Sequence, residues 1–136
     1  MRKSRIITIL SLFMLCLAAG AQTPAGTPVF VKGEGGVDTF RIPAIVRTKT
    51  GTLLAFAEAR WGSRSDTGDI DLVVKRSTDG GKTWGEMITV WDDGPNTCGN
   101  PAPVVDRRTG RIVLLSTWND GRDHEPAIHA RTSLDT

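Results

Sequence analysis

Short apolar runs alternate with polar turns along most of the chain. Four such runs, FRIPAIV, TLLAFAE, IDLVVKRS and TWGEMITV, follow one another between residues 40 and 90, separated by KTG, RWGSRSDTGD and TDGGK. Runs of this length, bounded by Gly, Asp and Ser, are typical of β-strands. No stretch has a sustained helical period. The pattern therefore predicts an all-β fold.

The same order of motifs begins again near residue 100. Pro43-Ala44 recurs as Pro101-Ala102, and TKTGTLLAFA recurs as RRTGRIVLLS. The glycines of these two turns, Gly51 and Gly110, are about 59 positions apart. The chain therefore contains an internal repeat of a four-stranded unit.

A repeat of this length with four strands per unit is typical of the blades of a β-propeller, in which each sheet covers one face of the next. We expect blade one at residues 39–90 and an incomplete blade two at residues 100–136. Because two blades cannot close a ring, we expect this to be the first part of a longer protein.

The first 21 residues have a different composition. Arg2, Lys3 and Arg5 precede the apolar run IITILSLFMLCLAA, which is short for a membrane span, and Ala19 and Ala21 frame an A-x-A cleavage site. This pattern predicts a signal peptide at residues 1–21, no stable membrane span after its removal, and export to the periplasm, the cell surface or the medium.

The next segment, residues 22–38, is rich in Pro, Gly and Thr. Its sequence QTPAGTPVFVK indicates a linker that runs into a first short strand.

Charge and cysteine content exclude some functions. The predicted signal carries three of the 17 Lys and Arg and none of the 15 Asp and Glu, so its removal leaves a formal charge of about −1. A nucleic-acid partner is therefore not expected, since no basic stripe is present. Cys16 leaves with the signal, and Cys98 alone cannot form an intramolecular disulfide.

Blade geometry brings distant polar residues together. In a meander, the start of the first strand and the loop between the second and third strands lie at the same end. We therefore expect Arg41, Arg60 and Asp66 to meet there, together with Asn100 and the loop NDGRDHE, which contains Asp123. The turn STDGGKTW should lie at the opposite end.

These motifs resemble one enzyme family. FRIP at residues 40–43, AFAEAR ending at Arg60, Asp66 in the following loop, and STDGGKTW, which fits the Asp-box pattern S-x-D-x-G-x-T-W, are similar to the N-terminal part of the catalytic domain of bacterial exo-sialidases. The resemblance covers roughly residues 40–136. It implies a six-bladed propeller of which about two blades are present, and sialylated glycoconjugates as substrates hydrolysed with retention.

The resemblance assigns roles to two residues. Arg41 matches the first of three arginines that bind the sialic acid carboxylate, which a guanidinium can bind bidentately. Asp66 matches the aspartate that protonates the glycosidic oxygen and then deprotonates water. The alternatives are a surface arginine and an Asx-turn residue. Asp69 and Asp71 are competing candidates for the acid/base, although Asp71 alternates with apolar residues as a strand residue does.

Arg60 matches a second family arginine, which reaches the carboxylate side or the 4-hydroxyl of the sugar. Glu58, two residues earlier on the same strand face, could orient it. The alternative is a surface ion pair of little energetic value. Asn100 and Asp123 are weaker candidates for substrate binding, with turn or capping roles as the alternative.

The Asp box is assigned to structure. Its aspartate should accept hydrogen bonds from backbone N–H groups of its own turn, its glycines permit left-handed backbone geometry, and its tryptophan should pack between sheets. We expect no metal and no cofactor. The residues of this motif are Ser77, Asp79, Gly81, Thr83 and Trp84.

One feature departs from the family pattern. Sialidases use a tyrosine nucleophile activated by a glutamate, and the sequence contains no Tyr. We expect the nucleophile, its glutamate and two further arginines to lie in later blades, so that this chain alone is inactive. The alternative function is a non-catalytic secreted Asp-box propeller that binds carbohydrate or protein.

Overall fold

The computed structural model describes residues 26–122 and the backbone of residues 127–132. The predicted signal peptide and Asp123 lie outside the described residues. Within them, no helix is long and apolar enough to cross a membrane. The elements are a 3-10 helix at Glu34–Gly36 and the strands β1 (Thr39–Arg47), β2 (Leu53–Arg60), β3 (Ile70–Ser77), β4 (Ile88–Trp91), β5 (Thr97–Val105), β6 (Ile112–Asn119) and β7 (Ala127–Thr132).

Strands β1 to β4 form the antiparallel meander that was predicted as blade one. The fourth strand is shorter than the TWGEMITV run, because β4 begins only at Ile88. The Asp-box turn holds the start of that run: the N–H of Thr83 donates to Asp79, and the N–H of Gly85 donates to the carbonyl of Arg76. These donors are therefore not available to a regular strand ladder.

Strands β5, β6 and β7 form a second antiparallel meander. A single parallel bridge between Ile70 and Thr97 joins it to blade one. The strand order of the first unit thus begins again, as the internal repeat predicted.

The first strand of each blade contains the same backbone irregularity. Ile42 has φ 51° and Asn100 has φ 52°, and a proline follows each of them. Left-handed φ values are uncommon outside glycine. At both places the pairing with the next strand shifts register, between Arg41 and Ala44 in β1 and between Gly99 and Ala102 in β5.

The hydrophobic core lies between the two blades. Alternate residues of β2 and β3 face alternate residues of β5 and β6, and burial of their apolar surface stabilises the contact by about 25 cal/mol per Å². Its buried members are Leu54, Phe56, Leu72, Val74, Cys98, Ile112 and Leu114.

The opposite face of blade one is covered by the segment that precedes β1. Val37 is fully buried there against Ala57, Ala59 and Val73, and Phe30 stacks on Phe40. The short strand predicted in residues 22–38 is wrong for its described part, residues 26–38. Glycines with positive φ instead turn this part into a 3-10 helix.

Candidate active site

The upper end of blade one is the end at which β1 begins, β2 ends and β3 begins. Thr39 pairs with Arg60, and Arg60 pairs with Ile70, so all three strands are in register there. The loop 61–69 connects β2 to β3 at this end. Ser77, the start of the Asp box, pairs with Leu53 at the lower end of the same sheet.

Asp66 lies between two arginines at the upper end. Its Oδ1 accepts from Nη1 of Arg41 at 2.7 Å and lies 2.9 Å from Nη2 of Arg60. The Asp66 side chain is 78% exposed, so solvent and a ligand can both reach it. The Arg60 guanidinium, and then that of Arg41, lower the pKa of the Asp66 carboxyl. Asp66 is therefore a carboxylate in the ligand-free protein at neutral pH.

Arg60 is buried, and protein oxygens engage all three of its side-chain nitrogens. Nε and Nη2 donate to Oε2 of Glu58, Nη1 donates to the carbonyls of Arg64 and Ser65, and Nη2 also contacts Asp66. The side chains of Arg60 and Glu58 are both 3% exposed, which excludes the surface ion pair. Arg60 thus connects the end of β2 to the loop that carries Asp66.

Glu58 also binds the second blade. Its Oε1 accepts the backbone N–H of Asn100 at 2.9 Å, while the Asn100 side-chain amide donates to Oγ1 of Thr117 at 2.8 Å. Gly99 makes this approach possible, because a Cβ at that position would lie 2.8 Å from Glu58 Oε1. Thr97 adds a second link by donating from Oγ1 to the carbonyl of Gly68 at 2.7 Å.

These residues surround one open cleft of about 460 Å³ at the upper end. Both blades contribute to its lining, so the predicted meeting of Arg41, Arg60, Asp66 and Asn100 is observed. The sequence-based prediction missed Arg122. Arg122 belongs to the loop NDGRDHE, which the sequence already placed at this end, so its position in that loop could have indicated it. The polar lining residues are Arg41, Glu58, Arg60, Asp66, Thr67, Thr97, Asn100, Thr117, Asn119 and Arg122.

The competing aspartates do not line this cleft. Asp71 is a buried residue of β3, as its alternation with apolar neighbours indicated, and its Oδ2 accepts from Nε1 of Trp61 at 2.7 Å. Burial, and the nearby carboxylates of Asp92 and Asp69, raise the pKa of Asp71 to about 6. Of the three candidate aspartates, only Asp66 faces both arginines.

The Asp box forms a closed hydrogen-bonded turn at the lower end. Asp79 Oδ1 accepts the N–H groups of Lys82 and Thr83, and its Oδ2 accepts from Oγ1 of Thr83 at 2.6 Å. Ser77 Oγ donates to Asp79 and accepts the N–H of Gly81, which has φ 90°. These bonds are internal to the turn, as a structural role requires.

Trp84 of the same motif is half-buried beside this turn, where a side chain at Gly81 would meet its ring. Within the described residues, no group of three or more His, Cys, Asp or Glu side chains is placed to hold a metal ion.

A comparison with protein families gives a match to the BNR repeat-like domain over residues 51–136. The chain belongs to this family. The chain is 49% identical over 92 residues to an exo-alpha-sialidase of Arthroderma benhamiae, covering 63% of this chain and 22% of that protein. It is 32% identical over 117 residues to a sialidase of Bacteroides fragilis, covering 79% of this chain and 22% of that protein.

A solved structure has the same fold. The chain superposes on the Hadza microbial sialidase Hz136 with a TM-score of 0.68 and 31% identity, over 76% of this chain and 25% of that one. The fold is therefore part of a β-propeller of the sialidase type, as predicted. The chain spans about a fifth of the length of the curated relatives it matches.

Proposed function

We propose that this chain contributes part of the active site of an exo-alpha-sialidase, which removes terminal α-linked sialic acids from glycoconjugates. One observation carries the proposal: Asp66 Oδ1 is held between Arg41 and Arg60 at the mouth of a cleft built by two blades. The similarity to sialidases over most of the chain supports the same assignment.

Arg41 is the proposed ligand of the sialic acid carboxylate. Its side chain is 37% exposed, and within the described residues only its Nη1 contacts protein oxygens, those of Asp66 and of the Arg64 carbonyl. Its Nε and Nη2 have no partner there, so two donors remain for a bidentate contact with a carboxylate. A substrate carboxylate at these donors competes with Asp66 for the positive charge of the same guanidinium.

This competition suits the proposed role of Asp66 as general acid. In the ligand-free protein both arginines lower its pKa and keep it ionised. A substrate carboxylate that neutralises the charge of Arg41 removes one of these causes, so the pKa of Asp66 rises when substrate binds. Asp66 can then hold a proton, donate it to the glycosidic oxygen, and afterwards take a proton from water.

Arg60 is proposed to position Asp66 and to reach substrate only by exchanging one of its present contacts, since each of its nitrogens already has an oxygen partner. Asn100 is proposed to border the substrate from the second blade. Its side chain donates to Thr117, which leaves its amide oxygen as a possible acceptor.

The remaining chemistry is proposed to come from outside these 136 residues. The resembling enzymes attack with a tyrosine that a glutamate activates, and this sequence contains no Tyr. The nucleophile, its glutamate and two further carboxylate arginines are accordingly assigned to other blades. Export is part of the proposal, on the strength of the cationic and apolar pattern of residues 1–21.

The proposal is tested by assaying the complete protein that carries these residues for sialic acid release from a sialyl-oligosaccharide. NMR of the first-formed anomer should report retention of configuration. A folded protein that binds the oligosaccharide but releases no sialic acid would instead be the non-catalytic binding propeller. The 136-residue chain alone should release none.

A further inference from the structure

A second cleft, of about 470 Å³, lies at the lower end between two hairpin turns. One turn connects β1 to β2 and contributes Arg47, Lys49 and Thr50. The other connects β5 to β6 and contributes Arg107, with Val105 beside it. We call this the lower cleft.

Hydrogen bonds hold the two turns in place. Lys49 spans the gap by donating from Nζ to the carbonyl of Arg108 at 3.1 Å, which fixes one hairpin against the other. Within the first turn, the hydroxyls of Thr48 and Thr50 lie 3.0 Å apart in a hydrogen bond. The lower cleft is therefore a feature of the packed blades, and neither hairpin forms it alone.

The lower cleft is strongly cationic. Among the described residues, its lining contains two arginines and one lysine and no acidic residue. Arg47 and Arg107 are exposed, and within the described residues neither makes an ion pair. The nearest acid in sequence, Asp106, bonds to its own turn through the N–H of Arg108 and the hydroxyl of Thr109. Among the described residues, no carboxylate therefore lies within ion-pair distance of either arginine.

The lower cleft is separate from the candidate active site. Arg41 and Arg47 are at opposite ends of β1, roughly 20 Å apart at the usual rise per strand residue. None of the residues that line one cleft lines the other. A single sugar residue cannot reach both.

We propose that the lower cleft binds an acidic polysaccharide through its sulfate or carboxylate groups. Guanidinium groups bind both kinds of oxyanion bidentately, and Thr50 adds a hydroxyl. Within the described part of the chain, no aromatic side chain lines the cleft to provide the stacking surface on which single-stranded nucleic acids bind. Val105 is the only large apolar residue among the described residues that line it, which is too little for insertion into a membrane surface.

The test measures binding of two probes to the complete protein at low salt: a heparin-derived hexasaccharide, which carries sulfates, and an oligogalacturonate, which carries carboxylates. Arg47→Gln combined with Arg107→Gln should weaken binding at least about tenfold. The matched control, Arg76→Gln with Lys82→Gln, removes two exposed positive charges outside the cleft and should change binding less than about twofold. If the Arg47/Arg107 double variant loses binding to only one of the two probes, that probe carries the oxyanion that the cleft prefers.

Three results would overturn the proposal. The first is that the protein binds neither probe, and the second is that both double variants lose binding equally. The third is that the protein, offered vesicles of phosphatidylglycerol and phosphatidylcholine as a further probe, binds only these. Thermal unfolding of each variant checks that the exposed substitutions leave the fold intact, with Arg107→Gln alone as the milder variant. Arg41→Lys should leave probe binding intact, so a failure here is distinguishable from a failure of the sialidase proposal.

Discussion

The backbone N–H of Asn100 donates to Oε1 of Glu58 over 2.9 Å, so the second blade binds a buried carboxylate of the first. The other oxygen of Glu58 binds Arg60, and Arg60 holds Asp66. The position of the candidate acid/base therefore depends on the packing between blades as well as on its own loop.

Glu58→Gln in the complete protein should be strongly destabilising. The substitution keeps the size of the side chain but leaves the buried Arg60 without its anionic partner at Nε, and breaking a buried ion pair costs about 3 kcal/mol. Chemical denaturation measures the loss. Glu86→Gln, at an exposed position, is the control and should change stability by less than about 0.5 kcal/mol. Similar losses in both variants would refute the role assigned to Glu58.

Gly99→Ala should disturb the same contact from the opposite side. The added methyl would lie 2.8 Å from Glu58 Oε1, and an oversized group in a packed region costs about 1–3 kcal/mol. Gly62→Ala is a matched control, because a Cβ there meets nothing within 4 Å. Unfolding curves of the two variants should differ clearly. Coinciding curves would contradict the prediction, because they would show that Glu58 can move away from the added methyl without loss of stability.

Arg41→Lys in the complete protein should lower kcat/KM about a hundredfold, or about 3 kcal/mol, because lysine keeps the charge but loses the bidentate fork. Steady-state kinetics on a sialyl-oligosaccharide measure the effect. Arg76→Lys, on the exposed side of β3, is the control for the general effect of the exchange. An unimpaired Arg41→Lys enzyme would show that Arg41 does not bind the carboxylate as proposed.

Asp66→Asn should discriminate between leaving groups. Asparagine cannot donate the proton that a poor leaving group requires, so the loss on a sialyl-oligosaccharide should be about 10²–10⁴-fold. An aryl sialoside needs little protonation and should lose far less. Both substrates are compared with the same enzyme preparation. Equal losses on the two would eliminate Asp66 as the general acid.

Asp71 should make the free energy of unfolding depend on pH between about 4 and 6. Its folded pKa of about 6 lies above the ordinary value of 3.8, so between these values the folded state binds a proton that the unfolded state has lost. The stability that Asp71 contributes by keeping this proton is fully present below pH 3.8 and is lost as the pH rises through 6. Asp71→Asn should therefore gain stability relative to the wild type between pH 4 and 7, by up to about 2 kcal/mol. A pH-independent difference between their unfolding free energies would contradict the assignment.

Features that depend on local pattern could be predicted from the sequence. Alternating apolar residues indicated the strands, and the order of strands in a meander brought Arg41 and Asp66 to one end. The links between blades could not be predicted, because Glu58 and Asn100 are far apart in sequence and meet only through packing. The same holds for the lower cleft, whose arginines come from two separate hairpins. The strand expected within residues 22–38 is wrong for the described part, residues 26–38, because positive-φ glycines turn that part into a 3-10 helix.

The two blades share a left-handed kink, at Ile42 and at Asn100, but they differ in the residue that precedes it. The kink puts Arg41 of the first blade and Gly99 of the second at equivalent places, each just before the kink. One copy thus presents a guanidinium to the cleft, while the other presents only the space that admits Glu58. A shared backbone conformation thus allows two copies of one unit to differ in side chain without losing register, so that one copy places a charged group at the cleft and the other leaves room for its neighbour's carboxylate.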